Sequence, residues 1–591
     1  MLLKLFSIRV FLIGSMLLLQ AELAEAYPLY LAESSEIPEA RQTTADEKES
    51  VSIPFIKGDL ERFGDVTELN YLYVLGELYA QRGDFISGAR LIFKVAEVTR
   101  DPRLGRRALQ LSLKAQELEL SISATNLLMD SLGNDSLAIG LIFSTLGAEK
   151  NLTLVLGVMG KVIRRVPEES VGRFFIQLTD FISNHSNRDQ TLSVASDILK
   201  GFDQVPEKHF FLAKAAQWAS DFSLALIRVE QALSIKPDMA RAIVLKANLL
   251  SRDNPQDAVG ILKGFVDKYP GKDFVRVALA RAQFLNGQLE ESRNEFYKLS
   301  TKNPQNSYYA YSIGIISSEV GDWRTADQYL QLALKMGHVL QETIKFKLGV
   351  VNEELGKLED AGRWYMSVER GENFILARAQ YVGILIKQNK FDQAQNLLNS
   401  TKPEGESQEV QLLQAKAYLY RKIGEYQEAF DILNAAIDNW PNHQELLYDI
   451  AIAAEKINRI DLVEKHLVYL IKLNPKHAQA YNALGYTLAE RTQRYNEAFE
   501  YIQSALKLEP HDPYILDSMG WVCFKMGDVL CGKKYLKAAY KVRPDPEIAA
   551  HLGELLWQEG QKKEAEKIWR ESLDANPDSD PLKLIIEKYL D

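Results

Sequence analysis

Apolar residues return along this chain in paired, helix-length runs, and each pair closes on a proline. Between Ser407 and Pro544 four such phrases follow one another: QLLQAKAYLYRKIGEYQEAFDILNAAIDNWP, LLYDIAIAAEKINRIDLVEKHLVYLIKLNP, AYNALGYTLAERTQRYNEAFEYIQSALKLEP and ILDSMGWVCFKMGDVLCGKKYLKAAYKVRP. They end at Pro441, Pro475, Pro510 and Pro544, at steps of 34, 35 and 34 residues. Self-similarity at that period predicts stacked helical hairpins. Small residues let two antiparallel helices approach where they cross, the role expected of Ala417 with Ala429 and of Gly485 with Ala498. Gly424 supplies the permissive backbone of the turn between helices, and the closing proline cannot continue a helix. One hairpin cannot bury its own apolar stripe, so the hairpins stand as an array.

The pattern resembles the tetratricopeptide repeat: Ala417, Tyr420, Gly424, Ala429, Leu433, Ala436 and Pro441 fall at that repeat's landmark positions. Register origins lie near 205, 238, 272, 306, 341, 374, 409, 443, 477, 512 and 545, about eleven repeats over residues 205–579. Upstream, LGELYAQRGDFISGARLIFKVAEV fits the same pattern through Gly76, Tyr79 and Gly83. Residues 68–204 otherwise lack landmarks but keep a helical period, as in Leu109, Leu113, Leu127 and Leu128. They are expected to be divergent hairpins. Residues 580–591 read as a capping helix with Leu582, Ile585, Ile586 and Tyr589 on one face. The expected fold is an all-α superhelical solenoid of tetratricopeptide hairpins.

The first residues read as an export signal. Lys4 and Arg9 precede the apolar run Val10 to Leu19, and Ala24 and Ala26 form an A-x-A cleavage site, giving a signal peptide over 1–26. The alternative is an uncleaved anchor beginning at Leu2. No cysteine follows the run, so a lipid anchor on cysteine is not expected. Residues 27–67, rich in Glu, Ser, Thr and Pro, read as a flexible leader. No later stretch is long and apolar enough to span a bilayer, so the mature chain is expected without a transmembrane span and in the periplasm or cell envelope. With 46% apolar and 25% charged residues the composition is that of a soluble protein. A net charge of −10 argues against nucleic acid as a partner.

Hairpins occupy nearly the whole chain and leave no room for a catalytic domain. There is no G-x-S-x-G, H-E-x-x-H, Walker loop or C-x-x-C. No enzyme activity, cofactor or metal is expected. His443, His477 and His511 recur at intervals of 34. Stacked repeats would hold them about 8–10 Å apart, whereas zinc needs ligands at about 2 Å, so they read as polar turn residues. Cys523 and Cys531 lie four residues either side of Gly527. A hairpin turning there sets them opposite each other, as a disulfide or as two small apolar residues filling helix contacts.

In such arrays the first helix of each hairpin lines the inner face, with positions 2, 5, 9 and 12 directed into it. Those positions hold Tyr308, Tyr311, Tyr418, Tyr448, Tyr486, Trp521, Phe524 and Trp557. Tyr and Trp offer large contact area at modest entropy cost. One reading is a partner-binding groove for an extended peptide or a helix; the other is a tightly wound array that buries its own wall. The Asn/Lys pattern that clamps a terminal carboxylate is absent.

DPRLGRRA (Asp101 to Ala108) and NALGYTLAERTQRYNEAFEYIQSALKLEPHDPYILDSMGW (Asn482 to Trp521) add a more specific resemblance. With the signal and the array, they are similar to the LbcA family of proteobacterial cell-envelope proteins. That resemblance implies a non-catalytic scaffold or adaptor that recruits a carboxyl-terminal processing protease and its substrates, among them peptidoglycan (cell-wall) hydrolases. The family's members are lipoproteins, a feature this sequence lacks. The alternative is a scaffold for envelope assembly or polysaccharide export.

Overall fold

A computed structural model describes residues 66–132, 135–577 and 579–590, so the signal and nearly all of the leader lie outside the described residues. The described residues are helical throughout, with no strand among them. The chain divides between Val320 and Gly321 into two compact units.

The first unit opens with Val66–Gln81 packed on Phe85–Thr99 and Pro102–Lys114 packed on Leu118–Leu132. Asp84 caps the second of these helices by accepting a hydrogen bond from the Ser87 amide at 3.1 Å. Asp101 caps the third, with Pro102 at its first position. Leu109, Leu113, Leu127 and Leu128 are all buried in the core of this region. Over 135–198 the chain departs from simple hairpins. Leu118–Leu132 packs on Leu152–Val162, which packs on Thr191–Ile198, while Glu168–Ser183 leans on Pro206–Trp218. Several helices there pack on a second neighbour, while Asp135–Leu146 leans on Leu118–Leu132 and Pro102–Lys114 alike, a pattern without the paired landmarks of a hairpin. Regular pairs return with Pro206–Trp218 and Phe222–Ile235, Ala240–Leu250 and Pro255–Lys268, and Asp273–Leu285 and Leu289–Lys302, before Ser307–Glu319 ends the unit.

The second unit begins with Trp323–Lys335 and stacks six hairpins: 341–367, 374–400, 406–439, 444–473, 478–508 and 513–542. A seventh, 546–575, is covered by the closing helix Asp580–Leu590. Gly424, Gly527 and Gly560 hold the inter-helix turns in the left-handed region, with φ of 86°, 84° and 82°. Asn389 and Asn458 take the same conformation where glycine is missing, the residue type that tolerates it best after glycine. Close approach of paired helices is real at Gly485, where a Cβ would lie 2.6 Å from Ile502 Cγ1 and 2.8 Å from the Ala498 carbonyl. Ala417 and Ala429 are buried in the same core. Among the described residues no helix is long and apolar enough to cross a membrane.

A candidate protein-binding face

In several hairpins of the second unit, among them 374–400, 406–439, 478–508 and 513–542, the first helix packs partly on the first helix of the next, so that residues about 34 positions apart share one face. Of the eight aromatic residues expected on such faces, Tyr311 and Trp521 are buried, 2% and 4% exposed, and the other six are half-buried. Tyr308 and Tyr311 belong to Ser307–Glu319 of the first unit, where Tyr308 meets Phe296 edge-on at 5.9 Å. Tyr418 lies under the Lys422 ammonium, 5.6 Å from its ring centre. Tyr448 stacks on His477 at 5.8 Å; burial, with Asp449 beside it, pushes its hydroxyl up to about 12. Trp557 packs with Trp569 and Tyr589 at the closing helix.

Three of the eight come together. Tyr486 and Trp521 meet at His551, which none of the sequence motifs singles out, and Phe524 packs on Trp521. The Trp521 indole lies on the imidazole at 4.1 Å and 20°, Tyr486 is 6.2 Å from it, and Phe524 is 5.5 Å from Trp521. Carboxylates complete the cluster. His551 Nδ1 is 2.9 Å from Asp517 Oδ2. Trp521 Nε1 donates to Glu490 Oε2 at 2.8 Å, and the Tyr486 hydroxyl donates to Glu547 Oε1 at 3.3 Å. Lys525 stands over Trp521, 4.6 Å from the ring centre, and 3.8 Å from Glu490. The group is drawn from the first helices of three successive hairpins: Ala478–Arg491, Pro513–Lys525 and Pro546–Gln558.

The electrostatics follow from this crowding. Burial works against a charged His551, but the Asp517 charge and hydrogen bond, helped by Glu547 and Glu490, hold its pKa above the usual histidine value. The Glu547 carboxyl is pushed up by the protein packed around it; His551 opposes that shift, while Asp517 and Asp545 add to it. Burial raises the Tyr486 hydroxyl well above its ordinary value, with Glu547, Asp517 and Glu490 adding to it.

Cys523 and Cys531 are joined by a disulfide, Cα atoms 5.7 Å apart, that ties Pro513–Lys525 to Val529–Val542 beneath this cluster. His443 and His477 serve as N-caps, accepting from the amides of Leu446 at 3.4 Å and Ala480 at 3.1 Å. His511 is exposed beside Asp512, which caps its own helix. Among the described residues no group of three or more His, Cys, Asp or Glu could hold a metal ion.

The stacked hairpins and a partly open aromatic and charged face define a tetratricopeptide-repeat scaffold. Models of the tetratricopeptide repeat match residues 409–443, 448–513 and 546–579, so the chain carries this repeat and is related to other proteins built from it. It is 37% identical over 209 residues to the TPR repeat-containing protein PA4667 of Pseudomonas aeruginosa, covering 35% of each chain. It is 28% identical over 154 residues to the TPR repeat-containing protein MJ1428 of Methanocaldococcus jannaschii, covering 26% of this chain and 24% of that one. The matched part thus spans about a third or less of these curated relatives. A tetratricopeptide repeat protein from Parabacteroides merdae overlays 48% of this chain and 99% of its own, at 16% identity and a TM-score of 0.33. A thermophilic TPR protein of Thermus thermophilus overlays 30% of this chain and 98% of its own, at 22% identity and a TM-score of 0.29.

Proposed function

We propose that the protein is an exported, envelope-associated adaptor that binds other proteins through its first-helix faces. On this reading it brings a carboxyl-terminal processing protease together with substrates such as peptidoglycan hydrolases. The observation that carries the binding role is the cluster of half-buried Tyr486 and Phe524 with Glu490 and Glu547, set around the buried Trp521. Aromatic area and exposed carboxylates share one face there, which suits an extended polypeptide. The choice of partner rests on the resemblance of 101–108 and 482–521 to the cell-envelope family. On this reading 27–67 is the leader that precedes the array, and 68–579 presents the binding faces.

Crosslinking the full chain in its native cells, purifying it and identifying the bound proteins tests the proposal. A processing protease should dominate, and Tyr486→Ala should reduce its capture. Recovery of outer-membrane or polysaccharide-synthase components in its place would favour an envelope-assembly scaffold and end the protease reading.

A further inference from the structure

We infer that the face formed by Ala478–Arg491, Pro513–Lys525 and Pro546–Gln558 receives an arginine side chain of the bound polypeptide between Glu547 and Tyr486. The inference rests on the binding role proposed above and names the chemistry that face selects.

Three carboxylates meet two cations in this cluster. Asp517 faces His551 at 2.9 Å and Glu490 faces Lys525 at 3.8 Å. Glu547 has only the neutral Tyr486 hydroxyl, at 3.3 Å, and no cation among the described residues within ion-pair distance. Protein on several sides raises the Glu547 carboxyl, yet the residue keeps an exposed surface, as does Glu490, so a partner can reach both. A second observation points the same way. The Asp517 side chain is 7% exposed, and its Oδ1 is closed off without a hydrogen-bond partner. Its charge bears on Glu547, so an arriving cation offsets the repulsion between these two carboxylates. The walls are aromatic, but one face of Trp521 is taken by His551 and Lys525 stands over its ring. Tyr486, whose hydroxyl already reaches Glu547, is the ring placed to flank an incoming group there. A planar guanidinium can stack on a phenol while pairing in bidentate fashion with a carboxylate; an ammonium meets the carboxylate only as a point charge and has no planar fork to do both at once. Arginine is therefore favoured over lysine.

The test titrates the full chain into a fluorescein-labelled, Arg-containing peptide of Ser, Gly and Tyr, and into matched peptides with Lys or Gln in place of Arg. Fluorescence anisotropy should rank them Arg, Lys, Gln. Glu547→Gln should weaken the Arg peptide about tenfold, the scale of one charge-assisted pair, and leave the Gln peptide unchanged. Glu500→Gln, exposed on the second helix of the 478–508 hairpin, should change neither. Equal binding of the Arg and Gln peptides, no binding of any peptide, or indifference to Glu547→Gln overturns the inference. If Tyr486→Ala abolishes binding while Glu547→Gln does nothing, the binding face survives and only its charge selectivity falls. Indifference to both substitutions removes the face as well.

Discussion

The Trp521 indole rests on the His551 imidazole with ring centres 4.1 Å apart, although the two residues belong to different hairpins. That contact changes how the aromatic face must be probed. Trp521 is buried and hydrogen-bonded to Glu490, so it supports the stack as well as the surface. Trp521→Ala should cost about 3–5 kcal/mol of unfolding free energy, the range for a large buried aromatic, seen as a lower urea midpoint. Tyr486→Ala removes a half-buried ring and should leave helical content by circular dichroism unchanged. Loss of helix in the Tyr486 variant would show that this residue, too, is structural.

His551 predicts a pH dependence with a definite sign. Its folded pKa lies above its unfolded value of about 6.5. The stabilisation is therefore complete below about pH 6.5 and disappears as pH rises through the folded value. Glu547, an acid whose pKa is also raised, acts in the same direction, because its ionised form is the disfavoured one in the folded state. The urea midpoint reported by tryptophan fluorescence should fall as the pH rises from about 6.5 through the folded His551 value. Asp517→Asn should flatten that slope; an unchanged slope would assign it to other groups.

Gly553 packs against Trp569, and a Cβ at this position would fall 2.0 Å from the indole Nε1. Trp569 is fully buried, with Nε1 aimed at the Ala550 carbonyl at 3.4 Å, and cannot step aside freely. Gly553→Ala should destabilise the last hairpin by about 1–3 kcal/mol through overpacking. Adding Trp569→Leu should recover part of that loss. Additive losses in a double-mutant cycle would mean the two residues do not compete for space.

The disulfide closes a loop with a sequence separation of 8. Loop-closure entropy assigns it about 2–3 kcal/mol. Cys531→Ser or mild reduction should lower the urea midpoint accordingly while leaving the Trp521 environment, read by its emission maximum, in place at low denaturant. A shift of that maximum before unfolding would mean the bond also positions the indole.

The helical period, the hairpin turns and the small residues at crossings were legible because each is written within about 34 residues. Gly424, Gly485 and Ala429 act where the local pattern puts them. The cluster around His551 was legible only in part. Its aromatic members stand out by type, but Glu490, Asp517, Glu547 and His551 come one or two from each hairpin and are ordinary residues in their own stretch. A faint signal exists: Gln414, Tyr448, Asn482 and Asp517 occupy one register position at steps of 34, 34 and 35, a polar column that an apolar core would not contain. The second-neighbour packing over 135–198 left no such trace, because it joins helices that do not follow each other in sequence.

The hydrogen bond from Tyr486 to Glu547 joins residues 61 positions apart, passing over an entire hairpin. A chain of links held only end to end can shed its last member and keep the rest. Here the final three are laced together, by that bond and by the grip of His551 on Asp517 and Trp521. A truncation after Pro544 would therefore strip support from Trp521 and Tyr486, well behind the cut, and damage would run backward along the array instead of stopping where the chain was severed.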